Sequence, residues 1–292
     1  METIKDFLET ILTPSPAVFI VGTLIVLLVP VFLHFVLSRT SSYTVLPSVL
    51  LAGPSGSGKT ALLTLFERHS PAETQTSQTW SAVELAASDD GMSSYRDDLD
   101  ATGSTAKKFL LVDTPGHGKL RHQSMARLGP ASTASAKLKA VVFVVDAAAL
   151  SEPEVLSVTA AYLYDVLLAL QKRMGSTKTS KAPYTIPVLI AANKIDLFTA
   201  LPAALVKSNI EAELGRIRKT RSKGLLDSGV GSEEIGAGAE EADDWLGEYG
   251  SDKFTFRQMK EFDIDVDVIG GNVIGGNGPA ADKWWTWIVD KI

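Results

Sequence analysis

A short apolar run, Val49-Leu-Leu-Ala52, leads directly into Gly53-Pro-Ser-Gly-Ser-Gly-Lys-Thr60, and Thr60–Arg68 (TALLTLFER) follows with helical spacing. A strand, a G-x-x-x-x-G-K-[ST] loop and a helix in that order admit few folds. The glycines let successive backbone N–H groups turn toward one concavity, and the helix that begins there adds its positive end. Such a concavity suits phosphate oxygens. Gly53, Pro54, Ser55, Gly56, Ser57 and Gly58 form its wall, and Ala61 extends it into the helix. Lys59 is expected to reach the outer phosphates and the Thr60 hydroxyl to ligate Mg²⁺. An ordinary Gly-rich turn has no need of all three parts.

The rest of the chain alternates apolar runs with amphipathic stretches. Strands are expected at Val49–Ala52, Ala82–Ala86, Phe109–Val112, Ala140–Val145, Val188–Ala192 and Ile264–Ile269. Helices are expected at Thr60–Arg68, Val155–Met174, Pro202–Lys219 and Asp282–Ile292. Ala140–Val145 is continuous and β-branched, as in a strand buried on both faces. The alternation predicts an α/β domain, with a mostly parallel sheet and helices on both faces. Ligands of such sheets sit at the carboxyl ends of the strands. Basic residues gather at the end of Pro202–Lys219, where they suit the helix dipole. Trp284, Trp285 and Trp287 read as core packing rather than a membrane belt. Ser88–Thr105 reads as a long exposed connection, and the Lys- and Arg-free stretch within 224–252 as a mobile acidic loop.

Two further motifs end strands. Asp113-Thr-Pro-Gly-His117 follows the Phe109–Val112 strand; a carboxylate there can hold Mg²⁺ through water, and Gly116 lets a backbone N–H approach a terminal phosphate. Asn193-Lys-Ile-Asp196 follows Val188–Ala192. The Asp196 carboxylate can accept from the N1–H and N2–H₂ of guanine, a donor pair that adenine lacks, so the ligand is expected to be GTP or GDP. Asn193 would brace the neighbouring loops and Lys194 would lie along the purine face.

Ahead of the domain, Ala17–Leu37 is apolar and uncharged, with Pro30 inside it and His34 its only titratable side chain. As a helix it would be roughly 31 Å long, enough to cross a hydrocarbon core. A cleaved signal peptide fits less well, because the preceding segment is acidic and no small-residue cleavage site follows. The expected organisation is a short lumenal N-terminus (1–16), a transmembrane helix (17–37), a linker (38–47) and a cytosolic domain (48–292). Flanking Lys and Arg weakly favour that orientation. Net charge is −6, from 28 basic and 34 acidic residues, which gives no basis for direct nucleic-acid binding. The 292 residues include no cysteine, so disulfides, thiolate catalysis and Cys-ligated metals are excluded. His34, His69 and His122 have no partners at metal-ligand spacing.

In this order the motifs resemble those of the Ras-like small GTPases. The single anchor, Thr74-Gln-Thr-Ser77, Asp113-Thr-Pro-Gly-His117, Val142-Phe-Val-Val-Asp146, Asn193-Lys-Ile-Asp196 and the basic tract at 218–221 narrow the likeness to the signal recognition particle receptor beta subunits. The resemblance implies a P-loop GTPase fold behind a single-pass anchor in the endoplasmic reticulum membrane. It implies a GTP-bound form that holds the receptor's alpha subunit, and through it an indirect link to ribosome and translocon. Thr74, Gln75, Thr76 and Ser77 would form the first switch and touch the nucleotide. Thr76 would ligate Mg²⁺ beside Thr60 and Asp113, with Ser77 and Thr79 as rivals. Gly116 and His117 would begin the second switch and act in catalysis. His117 stands where many GTPases carry the Gln that orients water, so hydrolysis by the isolated chain is expected to be slow or partner-dependent. The usual Ser-Ala-Lys loop is replaced; without gaps Ile269-Gly270-Gly271 takes its place, with Gly270 offering its N–H to the guanine carbonyl. The competing readings are a trafficking GTPase like the ADP-ribosylation factors, for which Met1-Glu2 provides no myristoylation site, and a non-hydrolysing GTP-bound anchor.

Overall fold

A computed structural model describes residues 16–40, 46–87, 107–129, 137–176, 185–227, 245–247, 251, 253–275 and 278–292. The expected connection at 88–105, most of the 1–16 segment and much of the acidic loop lie outside them. The chain divides into two units, Met1–Val45 and Leu46–Ile292.

The first unit contains helix α1, Pro16–Thr40. Its large apolar side chains from Phe19 to Leu33 are exposed all round, so the helix has no polar face. The Thr23 hydroxyl donates to the Phe19 carbonyl at 2.8 Å, which satisfies that polar group within the helix itself.

The second unit is built on a sheet in the order β2-β3-β1-β4-β5-β6. The strands are β1 (Ser48–Ala52), β2 (Ser81–Ala87), β3 (Lys107–Asp113), β4 (Leu138–Asp146), β5 (Ile186–Asn193) and β6 (Ile264–Gly270). Only β2 runs antiparallel, and its first residue, Ser81, pairs with Asp113 at the carboxyl end of β3. The helices are α2 (Lys59–Arg68), α3 (Arg121–Leu128), α4 (Pro153–Ser176), α5 (Ala203–Asp227) and α6 (Asp282–Lys291).

Strand alternation splits the core into two layers. Val141, Phe143 and Val145 of β4 join Leu50, Val188 and Ile190 beneath α4 and α5. Ala140, Val142 and Val144 face the other way, with Val49, Leu51 and Leu189, beneath α2 and α6. By length and composition α4 would itself pass as a membrane span, with mean hydropathy 1.4 over its most apolar 18 residues within Pro153–Gly175. Its Tyr162, Leu163, Val166, Leu167 and Leu170 are instead buried on the sheet. The α6 tryptophans are core residues as expected: Trp285 lies 5.1 Å from Phe66 and 5.9 Å from Phe109, centroid to centroid.

One boundary differs by more than three residues. The helix expected to end at Lys219 runs on to Asp227, so the basic tract is not its last turn. Arg218 is buried and donates to the carbonyls of Leu246 and Ser251, with its guanidinium 4.7 Å from the Trp245 ring. Arg221 pairs with Asp165 at 2.8 Å. Arg218 thus holds the returning chain and Arg221 holds α4, rather than either serving the helix dipole. Leu246, inside the stretch read as an unstructured acidic loop, is likewise buried.

Removing Trp285 (Trp285→Ala) should cost about 3–5 kcal/mol, as for other buried aromatics. Phe198→Ala, at a fully exposed side chain (105% of the reference area), should stay within about 0.5 kcal/mol. Denaturant unfolding of the detergent-solubilised chain measures both.

Candidate nucleotide site

The carboxyl ends of β1, β3 and β5 bring the distant motifs to one rim. The phosphate loop curls between β1 and α2, with Gly58 in a left-handed conformation (φ 98°). A Cβ at Gly58 would lie 2.3 Å from Asn193 Nδ2, so only glycine fits there. Ser57 is fully buried, Pro54 is half-buried, and Ser55 and Gly56 are exposed at the mouth of the loop. Ala61 packs into the core beneath α2.

Lys59 is buried, and its Nζ donates to the Pro54 carbonyl at 2.8 Å. Burial lowers its pKa from 10.5 to about 8, against the attraction of Asp113. Burial also raises the Asp113 pKa, opposed by hydrogen bonds from Thr60 and Ser77 and by the charge of Lys59. For both groups desolvation outweighs their mutual attraction, so burial shifts each toward its neutral form.

Around Asp113 three oxygens cluster. Thr60 Oγ1 donates to Asp113 Oδ2 at 2.6 Å and lies 2.9 Å from Ser77 Oγ, which in turn is 3.3 Å from the same carboxylate oxygen. The other oxygen, Asp113 Oδ1, is buried without a hydrogen-bond partner among the described residues. Two hydroxyls and a half-satisfied carboxylate suit a hard, oxygen-seeking divalent cation. Among the described residues no group of His, Cys, Asp or Glu could form a cage by itself. The hydroxyl brought here is Ser77. Thr76, the one expected, is exposed, as are Thr74 and Gln75. In extended chain neighbouring side chains face opposite ways, so only one of the pair can turn inward.

Gly116 is buried over the phosphate loop; a Cβ there would meet Lys59 Nζ, Pro54 C and Ser55 N, each at 2.6 Å. The next residue, His117, is exposed, and its Nδ1 accepts from the Lys119 N–H at 3.4 Å.

At the other end Asn193 is buried (3% exposed) and its side chain makes three hydrogen bonds. Its Nδ2 donates to the Ser57 carbonyl at 2.8 Å, and its Oδ1 accepts from Lys194 N at 2.8 Å and Val273 N at 3.0 Å. Lys194 Nζ pairs with Asp146 Oδ2. Asp146 in turn takes the N–H groups of Ala148 and Ala149. No role was assigned to Asp146 from sequence, although its β4 register opposite Asn193 makes it the nearest carboxylate to that lysine. Asp196 stands exposed in the turn after β5.

Gly270 lies at this end, in register with Ala192 and packed against Ile195, but its N–H does not face the base side. Gly271, not Gly270, donates to Ala192, so the Gly270 N–H points away from β5. The loop beside the exposed carboxylate is 271–275: a Cβ on Gly275 would lie 3.1 Å from Asp196 Oδ2. Counting residues without gaps could not find it, because the chain turns only after β6 has ended.

Comparison with known proteins agrees with this geometry. The family model for the signal recognition particle receptor beta subunit matches residues 44–262. The Saccharomyces cerevisiae signal recognition particle receptor subunit beta is 32% identical over 248 residues, covering 84% of each chain. The Homo sapiens subunit is 34% identical over 222 residues, 76% of this chain and 69% of that one. Among solved structures, the receptor SRb-GTP/SRX complex from Chaetomium thermophilum superposes with a TM-score of 0.71 at 48% identity, covering 84% of this chain and all of that one. The SRb-GDP-Mg form from the same organism gives 0.62 at 49% identity, covering 86% of this chain and all of that one. The chain belongs to the signal recognition particle receptor beta subunit family.

Proposed function

We propose that this protein is the membrane-anchored GTP-binding subunit of the receptor, and that its GTP-bound form holds the alpha subunit at the endoplasmic reticulum for co-translational targeting. The observation that carries the reading is the Thr60–Ser77–Asp113 cluster, with Asp113 Oδ1 left unpaired, directly beside the buried Lys59. The Chaetomium thermophilum relatives solved with GTP, GDP and GDP-Mg support it.

In this reading Gly53–Gly58 cradle the phosphates and Lys59 binds the outer ones. Thr60, Ser77 and Asp113 hold Mg²⁺, which when bound neutralises phosphate charge. The Gly116 N–H approaches the terminal phosphate, so the segments 74–79 and 116–127 are ordered by it and present a GTP-specific face. Asp196 selects guanine, Asn193 braces three loops, and Lys194, fixed by Asp146, lies along the base. The donor to the guanine carbonyl comes from the 271–275 loop. His117 is exposed and turned to the Lys119 N–H, which supports slow hydrolysis by the isolated chain. The apolar α1 is a single-pass anchor, with the GTPase domain cytosolic and its link to ribosome and translocon made through the alpha subunit.

Alpha-subunit affinity, measured on the chain in nanodiscs, should be about 5–150-fold higher with a non-hydrolysable GTP analogue than with GDP, the usual range of such coupling. Equal affinities would refute the switch. Asp196→Asn should shift preference from guanine toward xanthine nucleotides; an unchanged preference would remove Asp196 from the base site.

Ser77→Ala should raise the Mg²⁺ concentration needed to retain nucleotide by about tenfold or more, since even outer-shell changes cost that much. Thr76→Ala should not. A Mg²⁺ titration of nucleotide release separates the two.

The lowered Lys59 pKa sets a pH window. Between about 8 and 10.5 the unfolded chain holds a proton that the folded one lacks, so nucleotide-free stability should rise with pH across that range. Phosphate favours the charged lysine, so binding above pH 8 should take up a proton and weaken as pH rises. Calorimetry in buffers of different ionisation enthalpy measures that uptake, which Lys59→Ala should abolish.

A further inference from the structure

The segments flanking Asp113 share more than the phosphate end. Arg127, in the last turn of α3, places its guanidinium carbon 3.9 Å from the Trp80 ring centroid. One turn earlier, Gln123 Nε2 donates to the Gln78 carbonyl at 3.3 Å. Residues 78–80 and α3 therefore form one composite face. Trp80 is half exposed (50%), a large indole with a cation on one side and solvent on the other.

The charge of this face is one-sided. Residues 114–129 contain Lys119, Arg121 and Arg127 with His117 and His122, and no Asp or Glu; residues 74–80 carry no charge at all. This concentration stands in a chain of net charge −6. Arg127 makes no ion pair among the described residues, and burial lowers its pKa with no carboxylate opposing. Arg121 turns inward onto buried Tyr162 at 4.3 Å, so the surface charge of this face is that of Arg127 and Lys119.

We propose that the Trp80–Arg127 stack is the anchor of a cationic docking face that receives an acidic segment of the partner protein. The inference rests on the reading above that these two segments respond to the nucleotide. A rigid aromatic beside an arginine is the composition of interface hot spots. Uncompensated positive charge around it steers an oppositely charged surface and sets the association rate. The patch is small and its domain acidic, which argues against nucleic acid, whose binding needs a broad basic footprint.

The test uses the full chain in neutral-lipid nanodiscs, loaded with a non-hydrolysable GTP analogue, and follows association with the alpha subunit from low to high salt. For the wild type, the association rate should fall steeply with salt. Arg127→Glu should slow association about tenfold at low salt and flatten that dependence. Trp80→Ala should speed dissociation about tenfold or more. GDP affinity, set by the phosphate loop and base contacts, serves as the folding control, and Lys119→Glu at an exposed side chain repeats the charge test without touching packing. Variants that associate like wild type, or a wild-type rate indifferent to salt, would overturn the proposal. So would a wild-type chain that binds RNA or anionic vesicles more tightly than the partner. Loss of GTP-over-GDP discrimination in the wild type would instead strike the functional reading beneath it.

Discussion

Three separate stretches of backbone meet on the side chain of Asn193. Its amide donates to the phosphate loop at Ser57, and its oxygen accepts from Lys194 and from Val273 beyond β6. The residue is buried, so each bond is made where water cannot replace it, and leaving a partner unpaired there costs about 1–3 kcal/mol. Gly58 must lack a side chain for this contact to exist. The rim that would take a nucleotide therefore depends on one short carboxamide ending strand β5, next to the sheet edge. The phosphate end and the base end cannot shift independently.

Against that satisfied frame, the phosphate side is held in reserve. Lys59 and Asp113 are pushed toward neutrality by burial, and Asp113 Oδ1 has no partner among the described residues. Arg121 Nε and Gln123 Oε1 on the neighbouring α3 region are also buried and unpaired. Helix α3 is nonetheless held to the core by buried Leu128 and by the Ser124–Tyr162 hydrogen bond at 2.7 Å.

What could be read without coordinates follows the range of the interactions involved. The phosphate loop was legible because strand, glycines and helix are contiguous, and β4 because a continuous β-branched run has few other uses. The α6 tryptophans, read as core packing rather than a membrane belt, lie in the core. Choices that turn on a single residue's direction were not legible. Thr76 and Ser77 are chemically similar neighbours in irregular extended chain, and only the approach to Asp113 distinguishes them. Gly270 was chosen by gapless counting, whereas the chain reaches Asp196 through 271–275. The length of α5 was hidden because Arg218 suits a helix end by composition, yet its guanidinium is used on carbonyls that return from a distant part of the chain. The Trp80–Arg127 stack joins residues with no sequence pattern in common.

The claim beneath all of this is that the rim grips a guanine nucleotide. Displacement of a fluorescent GDP from the purified, detergent-solubilised chain tests it directly. The account predicts that GTP and GDP compete fully while ATP does not, and that Mg²⁺ strengthens retention. A folded protein from which ATP displaces the probe as well as GTP does, or which binds no probe at all, would contradict it.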